Sequence, residues 1–364
     1  MRLPVIEYLR AARAPRDVEF DLSRSGMPEV PPERLGVPAN RLFLDEGADW
    51  GGPTLRAAIA RSFRLPESDV LPAHGTTFAI FLVCAALLER GDRVLVERPA
   101  YEPLLSIPRF FDAAVDRFDR PFAEDYRIDR DRLAGAVRPD TRLLILTDPH
   151  NPSGRVLSEE DRTWLARFAE ERDLNVLLDE VYIDFTGVDG FRQARSLGER
   201  MISIGSLTKV YGLGRLRVGW ILARPELIAR AAPLYDYTLG DPSGPSAALG
   251  VAAFGMREVL RETGRRRAEE NRRIVAEWMA GRPELEWVEP GAGIVAFPRF
   301  RGGVPLEGGD SSAFVKKASA RHGVLTVPGA YFEDPRGFRV GFGIETDRLA
   351  AALERLGRAV AEAV

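Results

Sequence analysis

Short apolar runs alternate with longer amphipathic stretches between about residue 70 and residue 206. The apolar runs are rich in leucine, valine and isoleucine, and each ends at a polar or glycine-containing loop, which predicts buried β-strands. Strands are predicted at residues 93–96, 142–146, 176–178 and 202–204. The stretches between them predict helices at residues 76–90, 103–111 and 158–172. Strands separated by helices form a mostly parallel sheet between two helical layers, so the pattern predicts an α/β fold with a three-layer α/β/α domain.

The rest of the chain mixes strand and helix patterns. Helices are predicted at residues 51–63, 245–281, 311–322 and 347–364, and strands at 293–298, 324–327 and 338–342. The mixture in the C-terminal third predicts a smaller α+β domain. Residues 1–40 are rich in proline and arginine and only weakly periodic, which predicts an irregular N-terminal arm joined to that domain. The predicted boundaries are 1–40 for the arm, 41–245 for the large domain and 246–364 for the small domain.

Composition excludes several classes of protein. The chain has 364 residues and a net charge of -3, which is long enough for two cores and gives no support for a nucleic-acid partner. The single cysteine, Cys84, excludes an intrachain disulfide and suits a reducing cytoplasm. The apolar run 78–88 around it is too short to cross a membrane, which takes about 20 residues. Three histidines and no Cys-x-x-Cys predict no metal site.

One lysine stands out as a candidate for chemistry. The sequence contains three lysines, Lys209, Lys316 and Lys317, against 48 arginines. Lysine can lose its proton on burial and attack a carbonyl group, whereas arginine stays charged. Lys209 is therefore either a surface residue or an imine-forming amine. Its neighbours favour the second interpretation, because Ser206 and Arg217 could together hold a phosphate group.

With Gly219, these residues resemble the Schiff-base segment of the fold-type I pyridoxal-phosphate enzymes, specifically the class I/II aminotransferases. The family pattern Ser-x-x-Lys, seven residues, Arg-x-Gly is matched by Ser206, Lys209, Arg217 and Gly219. The resemblance implies pyridoxal 5'-phosphate as cofactor, bound by the large domain through a Schiff base with Lys209.

Other residues with a counterpart in this family lie where predicted strands end, the edge at which α/β sheets bind ligands. Gly75, Thr76 and Thr77 precede an apolar helix, so they either cap it or form an anion cup for the cofactor phosphate. The resemblance implies that Tyr101 stacks on the cofactor ring. It also implies that Asn151, in a match to the motif Asn-Pro-x-Gly, binds the phenolic oxygen of the cofactor and touches the substrate carboxylate.

A carboxylate at the end of a buried strand needs a cationic partner, and Asp179 is such a residue. A protonated pyridine nitrogen would supply one, although a helix cap or a structural ion pair remains an alternative. Tyr182 follows at the family spacing Asp-x-x-Tyr and would share the phenolic oxygen with Asn151. In the small domain, Arg339 resembles the family arginine that clamps the substrate α-carboxylate, and Gly26 is assigned to the substrate site with it.

The match departs from the family at one position. Family members usually carry a tyrosine five residues before the glycine of Gly-x-x-x-Leu-Arg, and it reaches the cofactor phosphate of the partner subunit. Glu46 stands at that spacing here. A homodimer with the active site near the interface is still expected.

The resemblance implies an aminotransferase that moves an amino group between an L-amino acid and a 2-oxo acid, with Lys209, Asp179 and Tyr182 as catalytic residues. A C-S lyase or an amino-acid decarboxylase on the same fold is the alternative. An amine-sensing regulator is less favoured, because the residues before Arg41 are too few and too rich in proline for a DNA-binding module.

Overall fold

The structure, a computed structural model, describes residues 5–14, 17–38, 42, 52–187 and 192–363. Its helices are α1 (Glu7–Arg13), α2 (Gly52–Phe63), α3 (Thr76–Leu87), α4 (Pro103–Phe110), α5 (Arg130–Ala136), α6 (Glu159–Glu171), α7 (Pro225–Ala231), α8 (Gly244–Gly255), α9 (Arg257–Ala280), α10 (Ser312–His322) and α11 (Thr346–Ala361). Its strands are β1 (Phe20–Asp21), β2 (Val70–Ala73), β3 (Arg93–Arg98), β4 (Ala114–Asp119), β5 (Thr141–Thr147), β6 (Asn175–Asp179), β7 (Met201–Ser206), β8 (Gly219–Leu222), β9 (Leu285–Glu286), β10 (Val295–Ala296), β11 (Arg299–Phe300), β12 (Val324–Leu325), β13 (Val327–Pro328) and β14 (Phe338–Gly341).

Within the described residues, the largest sheet has the strand order β2-β8-β7-β6-β5-β3-β4. All neighbouring pairs are parallel except those made by β8, which runs antiparallel to both β2 and β7. The central strands β5, β6 and β7 are buried along nearly their whole length, as expected for a sheet covered by helices on both faces. The predicted α/β fold with a mostly parallel sheet is therefore confirmed.

Three strands of this sheet were not predicted, and each has a physical reason. Both edge strands lack the continuous apolar run from which strands were predicted. Strand β2 contains Pro72, which edge strands tolerate, and β4 carries the charged residues Asp116, Arg117 and Asp119. Strand β8 is only four residues long and begins at Gly219, within the segment that was interpreted as a binding motif.

The C-terminal part of the chain forms short sheets rather than long strands. Strands β10, β14 and β13 form an antiparallel sheet, and β9 pairs with β11. The predicted strand at 324–327 is interrupted at Thr326, so that β12 and β13 lie in different sheets. Strand β12 pairs in parallel with β1 from the N-terminal segment, which is thereby tied to the C-terminal third.

Two helix predictions differ from the structure. The N-terminal segment was expected to be irregular, but it contains α1 over Glu7–Arg13. The long helical stretch after residue 245 is divided into α8 and α9 at Met256, which follows Gly255. The capped start of α6 agrees with prediction, because the Ser158 hydroxyl accepts a hydrogen bond from the Asp161 N–H at 3.0 Å.

Among the described residues, no helix has both the length and the apolar character that a membrane crossing needs. Glu46, where the family usually has a tyrosine, and Gly51, the first residue of the predicted helix 51–63, lie outside the described residues.

Candidate active site

Polar side chains gather at the carboxyl edge of the large sheet. Asp179 is the last residue of β6 and Ser206 the last of β7, while Asn151 and Tyr101 lie in the loops that follow β5 and β3. Because parallel strands end at one edge, the fold brings together residues that are more than 100 positions apart.

Asp179 is a buried carboxylate, with 4% of its surface exposed. One of its oxygens accepts a hydrogen bond from the Val181 N–H at 3.1 Å. Burial raises the pKa of Asp179 to about 7, against an opposing pull from the nearby Lys209 ammonium. A cationic ligand group beside this carboxylate would be strongly favoured.

Lys209 lies in the loop after β7 and is partly buried. Its ammonium donates a hydrogen bond to the Ser25 hydroxyl at 2.9 Å and lies 5.6 Å from the ring centroid of Tyr182. Burial lowers the pKa of Lys209 to about 8, so about a tenth of this amine is unprotonated at pH 7 and about half at pH 8. The other two lysines lie exposed on α10.

A cradle for an anion lies at the start of α3. The Arg217 guanidinium crosses Gly75, donating hydrogen bonds to the carbonyl oxygens of His74 at 3.1 Å and Gly214 at 3.3 Å. A Cβ atom at Gly75 would lie 2.3 Å from Arg217 Nη2, and Gly75 has φ 81, so only glycine fits. The first-turn N–H groups of α3, including those of Thr76 and Thr77, have no acceptors within their own helix.

Ser206, the last residue of β7, pairs with Gly219, where a Cβ atom would lie 2.8 Å from the Cα of Gly75. It is buried, and its hydroxyl accepts a hydrogen bond from the Thr208 N–H at 3.3 Å. Arg217 itself has φ 56, in the left-handed region that residues with a side chain seldom adopt. Such conformations often mark a binding site, and here the backbone turns the guanidinium toward Gly75.

Arg339 lies on β14 with no solvent-exposed surface. Its Nη1 donates to Asn151 Oδ1 at 3.2 Å, and its Nη2 donates to the Tyr8 hydroxyl at 2.8 Å and to the Ser23 carbonyl oxygen at 2.9 Å. The Nε–H of Arg339 has no hydrogen-bond partner among the described residues. A buried donor without a partner is costly, so this guanidinium is suited to a carboxylate ligand.

Two aromatic residues line the same space. Tyr182 is buried, and its hydroxyl lies 3.4 Å from the Ser25 carbonyl oxygen, to which it donates. Tyr101 forms a hydrogen bond with the Thr77 side chain, and its ring meets the ring of Tyr8 edge to face at 5.2 Å. Burial raises the pKa of both phenols, so they are neutral hydrogen-bonding groups at physiological pH.

The segment around Gly26 lies against the Lys209 loop. The Met27 N–H donates to the Lys209 carbonyl oxygen at 3.1 Å, and a Cβ at Gly26 would lie 3.3 Å from the Thr208 carbonyl oxygen. The structure therefore brings together all the residues that sequence reasoning assigned to the site.

Sequence reasoning missed the contributions of Tyr8 and Ser25. Tyr8 enters the site from α1, whose first turn is held by Glu102: the carboxylate accepts hydrogen bonds from the N–H groups of Glu7 at 3.0 Å and Tyr8 at 2.6 Å. Ser25 contacts both Lys209 and Tyr182. Both residues belong to the segment that looked irregular, and the only local signal was Glu7 in a first helical turn.

Comparison with known proteins agrees with this geometry. A family model of aminotransferase class I and II matches residues 48–356. Capreomycidine synthase of Streptomyces vinaceus is 31% identical over 325 residues, which cover 87% of this chain and 82% of that protein. A probable N-succinyldiaminopimelate aminotransferase of Mycobacterium tuberculosis is 32% identical over 317 residues, covering 78% of this chain and 74% of its own length.

A solved structure extends the likeness to the whole chain. The crystal structure of the PLP-dependent cyclase OrfR superposes with a TM-score of 0.90 and 30% identity, covering 100% of this chain and 98% of that one. The likeness therefore includes the N-terminal segment that carries Tyr8.

Proposed function

The chain belongs to the class I and II aminotransferase family, and from that premise we propose that it transfers an amino group between an L-amino acid and a 2-oxo acid with pyridoxal 5'-phosphate as cofactor. The observation that carries the proposal is the pair of opposed ionisable groups at the edge of the sheet. Burial lowers the pKa of the Lys209 ammonium and raises the pKa of the Asp179 carboxyl. The cofactor requires an amine that can lose its proton, to react with its aldehyde group. It also requires a buried carboxylate that is stabilised by a cation, to bind its ring nitrogen.

The residues of the site fit the cofactor. Arg217, Ser206 and the start of α3 at Gly75, Thr76 and Thr77 would hold the phosphate, since the cradle is cationic and admits no side chain at Gly75. Asp179 would hold the ring nitrogen, and Tyr101 would cover the ring. Asn151 would donate a hydrogen bond to the phenolic oxygen, and so would Tyr182 once its hydroxyl turned from the Ser25 carbonyl oxygen, to which it donates at 3.4 Å. Asn151 is free to do so through Nδ2, because its Oδ1 already accepts from Arg339.

Pyridoxal phosphate, when bound, supplies an aldehyde that condenses with amines and a ring that accepts the electrons of a broken bond at the substrate α-carbon. The protein supplies the base. Lys209 would hold the cofactor covalently through Nζ, and the same nitrogen would accept the α-proton of the bound substrate. Its lowered pKa keeps that nitrogen available as a base near pH 8.

The substrate is held from the C-terminal part of the chain. The Arg339 guanidinium binds the α-carboxylate, with Asn151 and the backbone at Gly26 on either side. Three of its contacts, to Asn151, Tyr8 and Ser23, fix the plane of the guanidinium before the substrate arrives. A clamp with a fixed plane selects which substituent of the α-carbon faces Lys209 and therefore which bond breaks.

A single-turnover experiment tests the reaction type. Cofactor-loaded protein is mixed with each of the 20 common L-amino acids, and the absorbance and the released products are recorded. Conversion of the cofactor to its pyridoxamine form with one equivalent of 2-oxo acid is expected. Ammonia and pyruvate would instead identify a lyase, and carbon dioxide a decarboxylase.

Two relatives favour a second candidate, a PLP-dependent cyclase. Capreomycidine synthase and OrfR are both at least 30% identical to this chain, and the latter is named a cyclase. A ring-forming enzyme would convert its substrate without releasing 2-oxo acid and without leaving the cofactor in its pyridoxamine form. The same single-turnover experiment separates the two candidates when the product is followed by mass spectrometry.

We also propose that the protein works as a homodimer in the cytoplasm. Several large apolar side chains are exposed on the single chain, with Tyr237 87% and Leu239 48% exposed. These two residues lie two positions apart in the chain, so we assign them to the contact surface of the dimer. The one cysteine, Cys84, is a buried thiol, which suits a reducing compartment. Sedimentation of the cofactor-loaded protein measures the assembly state.

Replacing Tyr8 with phenylalanine is expected to raise the KM for the amino acid with little change in kcat. The variant removes one hydrogen bond to Arg339 Nη2, and a net contribution of about 1 kcal/mol predicts a rise of about fivefold. Tyr331→Phe is the matched control, because its ring also contacts Tyr8, at 6.0 Å. Steady-state kinetics on both variants measures the effect, and equal KM values for the two would contradict the assignment.

A further inference from the structure

A path of buried hydrogen bonds runs behind the candidate active site. It starts at Glu97, near the end of β3, a carboxylate with no exposed surface. One oxygen of Glu97 accepts hydrogen bonds from both the backbone N–H and the hydroxyl of Thr147, each at 2.6 Å. The other oxygen accepts from Arg120 Nη1 at 2.5 Å, and Arg120 is equally buried.

Thr147 connects this carboxylate to the site. Its hydroxyl donates to Glu97 and at the same time accepts a hydrogen bond from the Asn151 N–H at 3.0 Å. The Asn151 side chain in turn accepts from Arg339 at 3.2 Å. The path therefore runs from Glu97 on β3 through Thr147 on β5 and the Asn151 loop to Arg339 on β14.

The charge of Glu97 is balanced locally. His150 Nε2 lies 4.0 Å from the carboxylate, but that nitrogen donates to the Pro99 carbonyl oxygen at 3.0 Å, and Nδ1 then accepts from the Ser153 hydroxyl at 2.7 Å. Burial and the neighbouring Arg120 hold the pKa of His150 well below its usual value, so the ring is neutral. Among the described residues, Arg120 is thus the cation that faces Glu97.

Stability alone is a weak reason for such an arrangement. A buried ion pair loses so much hydration that apolar residues of similar volume often give equal or greater stability. What the pair does provide is a fixed acceptor, which permits only one position of the Thr147 hydroxyl and hence of the Asn151 backbone.

We propose that Glu97 is a positioning residue for the reaction: acting through the Thr147 hydroxyl, it fixes Asn151 between the cofactor's phenolic oxygen and Arg339. The proposal rests on the proposed function, since it assigns Asn151 to both groups. It predicts that breaking the path at Glu97 or at Thr147 has the same consequence, although the two side chains differ in charge.

Four variants test this path. Thr147→Val interrupts it by removing the hydroxyl, and Glu97→Gln weakens it, because the amide has one acceptor oxygen for two donors, Thr147 and Arg120. Thr147→Ser keeps the hydroxyl, and Asp69→Asn is the control. Asp69 is also buried and ion-paired, to Arg195 at 2.8 Å, but it precedes β2 at the opposite edge of the sheet. Each variant is loaded with cofactor, and its absorbance is titrated against pH before any substrate is added.

In Glu97→Gln and Thr147→Val, the midpoint of the absorbance titration is expected to rise, because Asn151 no longer stabilises the ionised phenolic oxygen. The KM for the amino acid is expected to rise about tenfold, the lower end of the effect of removing a group that orients a ligand-binding residue. Changes in kcat should be smaller. Thr147→Ser and Asp69→Asn should match the parent protein in both readouts.

Two results would overturn the proposal. One is a Thr147→Val protein with the midpoint and KM of the parent; the other is an Asp69→Asn protein with shifts as large as those of Glu97→Gln. If Glu97→Gln does not fold, the Thr147 pair decides the question. The titration needs no substrate, so the positioning role can be tested even if single-turnover experiments reject transamination.

Discussion

Replacement of Lys209 by alanine is expected to abolish turnover, with kcat lowered roughly 10⁴-fold or more, the largest contribution usual for a general base. Neither of the other two lysines can substitute, because both lie exposed on α10. The absorbance band of the lysine-bound cofactor should disappear as well. Absorbance spectra and steady-state kinetics of the loaded variant measure the two effects.

Lys317→Ala is the matched control for this substitution. Lys317 forms an exposed ion pair with Glu307 at 2.5 Å, an interaction that contributes little. This variant should keep the spectrum and the activity of the parent protein. Persistence of the absorbance band and of turnover in Lys209→Ala would show that another group carries the chemistry and would reject the proposed mechanism.

The sequence predicts the central part of the fold well because the central strands are simple. Strands β5, β6 and β7 lie between helices on both faces, so each has a buried apolar stretch at its centre that is easily separated from the helices beside it. The two edge strands have a different sequence pattern, because proline or charged residues interrupt their apolar residues. Strands β2 and β4 could not be found from apolar runs for that reason.

The residues of the site likewise fall into those that could be predicted from the sequence and those that could not. Asp179, Asn151 and Lys209 follow predicted strands, so their proximity could be expected from topology and from the motifs that contain them. Tyr8 and Ser25 come from a segment whose position depends on tertiary contacts, among them the Glu102 carboxylate at the first turn of α1 and the pairing of β1 with β12. Neither contact leaves a periodic pattern in the sequence.

Glu97 illustrates a third case, in which the residue was visible but its role was not. It is the first residue after the predicted strand 93–96, where an acidic residue is easily interpreted as the start of a loop. The structure extends β3 to Arg98 and buries the carboxylate between Thr147 and Arg120. Arg120 follows β4, so recognising the pair from sequence would have required the edge strand that was missed.

The opposed pKa shifts at Lys209 and Asp179 have one origin. Burial is the main cause of both shifts, because loss of hydration favours the neutral form of each group. Without cofactor this environment costs stability. The cofactor would supply a partner for each group, an aldehyde for the amine of Lys209 and a cationic ring nitrogen for the carboxylate of Asp179, so this cost would be recovered as affinity for the cofactor.

Asp179→Asn is expected to lower kcat about a thousandfold. Two unit charges about 4 Å apart at an effective dielectric of about 20 attract each other by about 4 kcal/mol, and loss of that attraction from the transition state corresponds to this factor. Glu180→Gln is the control: Glu180 is the next residue, is equally buried and is paired with Arg162 at 2.6 Å, outside the proposed chemistry. Comparable losses of kcat in the two variants would show that any buried charge change is damaging and would remove the assigned role of Asp179.

The pH dependence of stability of the cofactor-free parent protein and of cofactor-free Asp179→Asn gives a second test, and the direction of the difference can be derived. Because the pKa of Asp179 is about 7 in the folded protein and near 3.8 when unperturbed, the folded state binds more protons between these values. Stability of the parent should therefore fall as pH rises from about 4 to about 7. Asparagine has no proton to lose, so the variant should become more stable relative to the parent over this window and keep that advantage at pH 8. Urea unfolding at pH 5 and pH 8 measures the difference, and an identical pH dependence for the two proteins would mean that Asp179 is already ionised without its cationic partner.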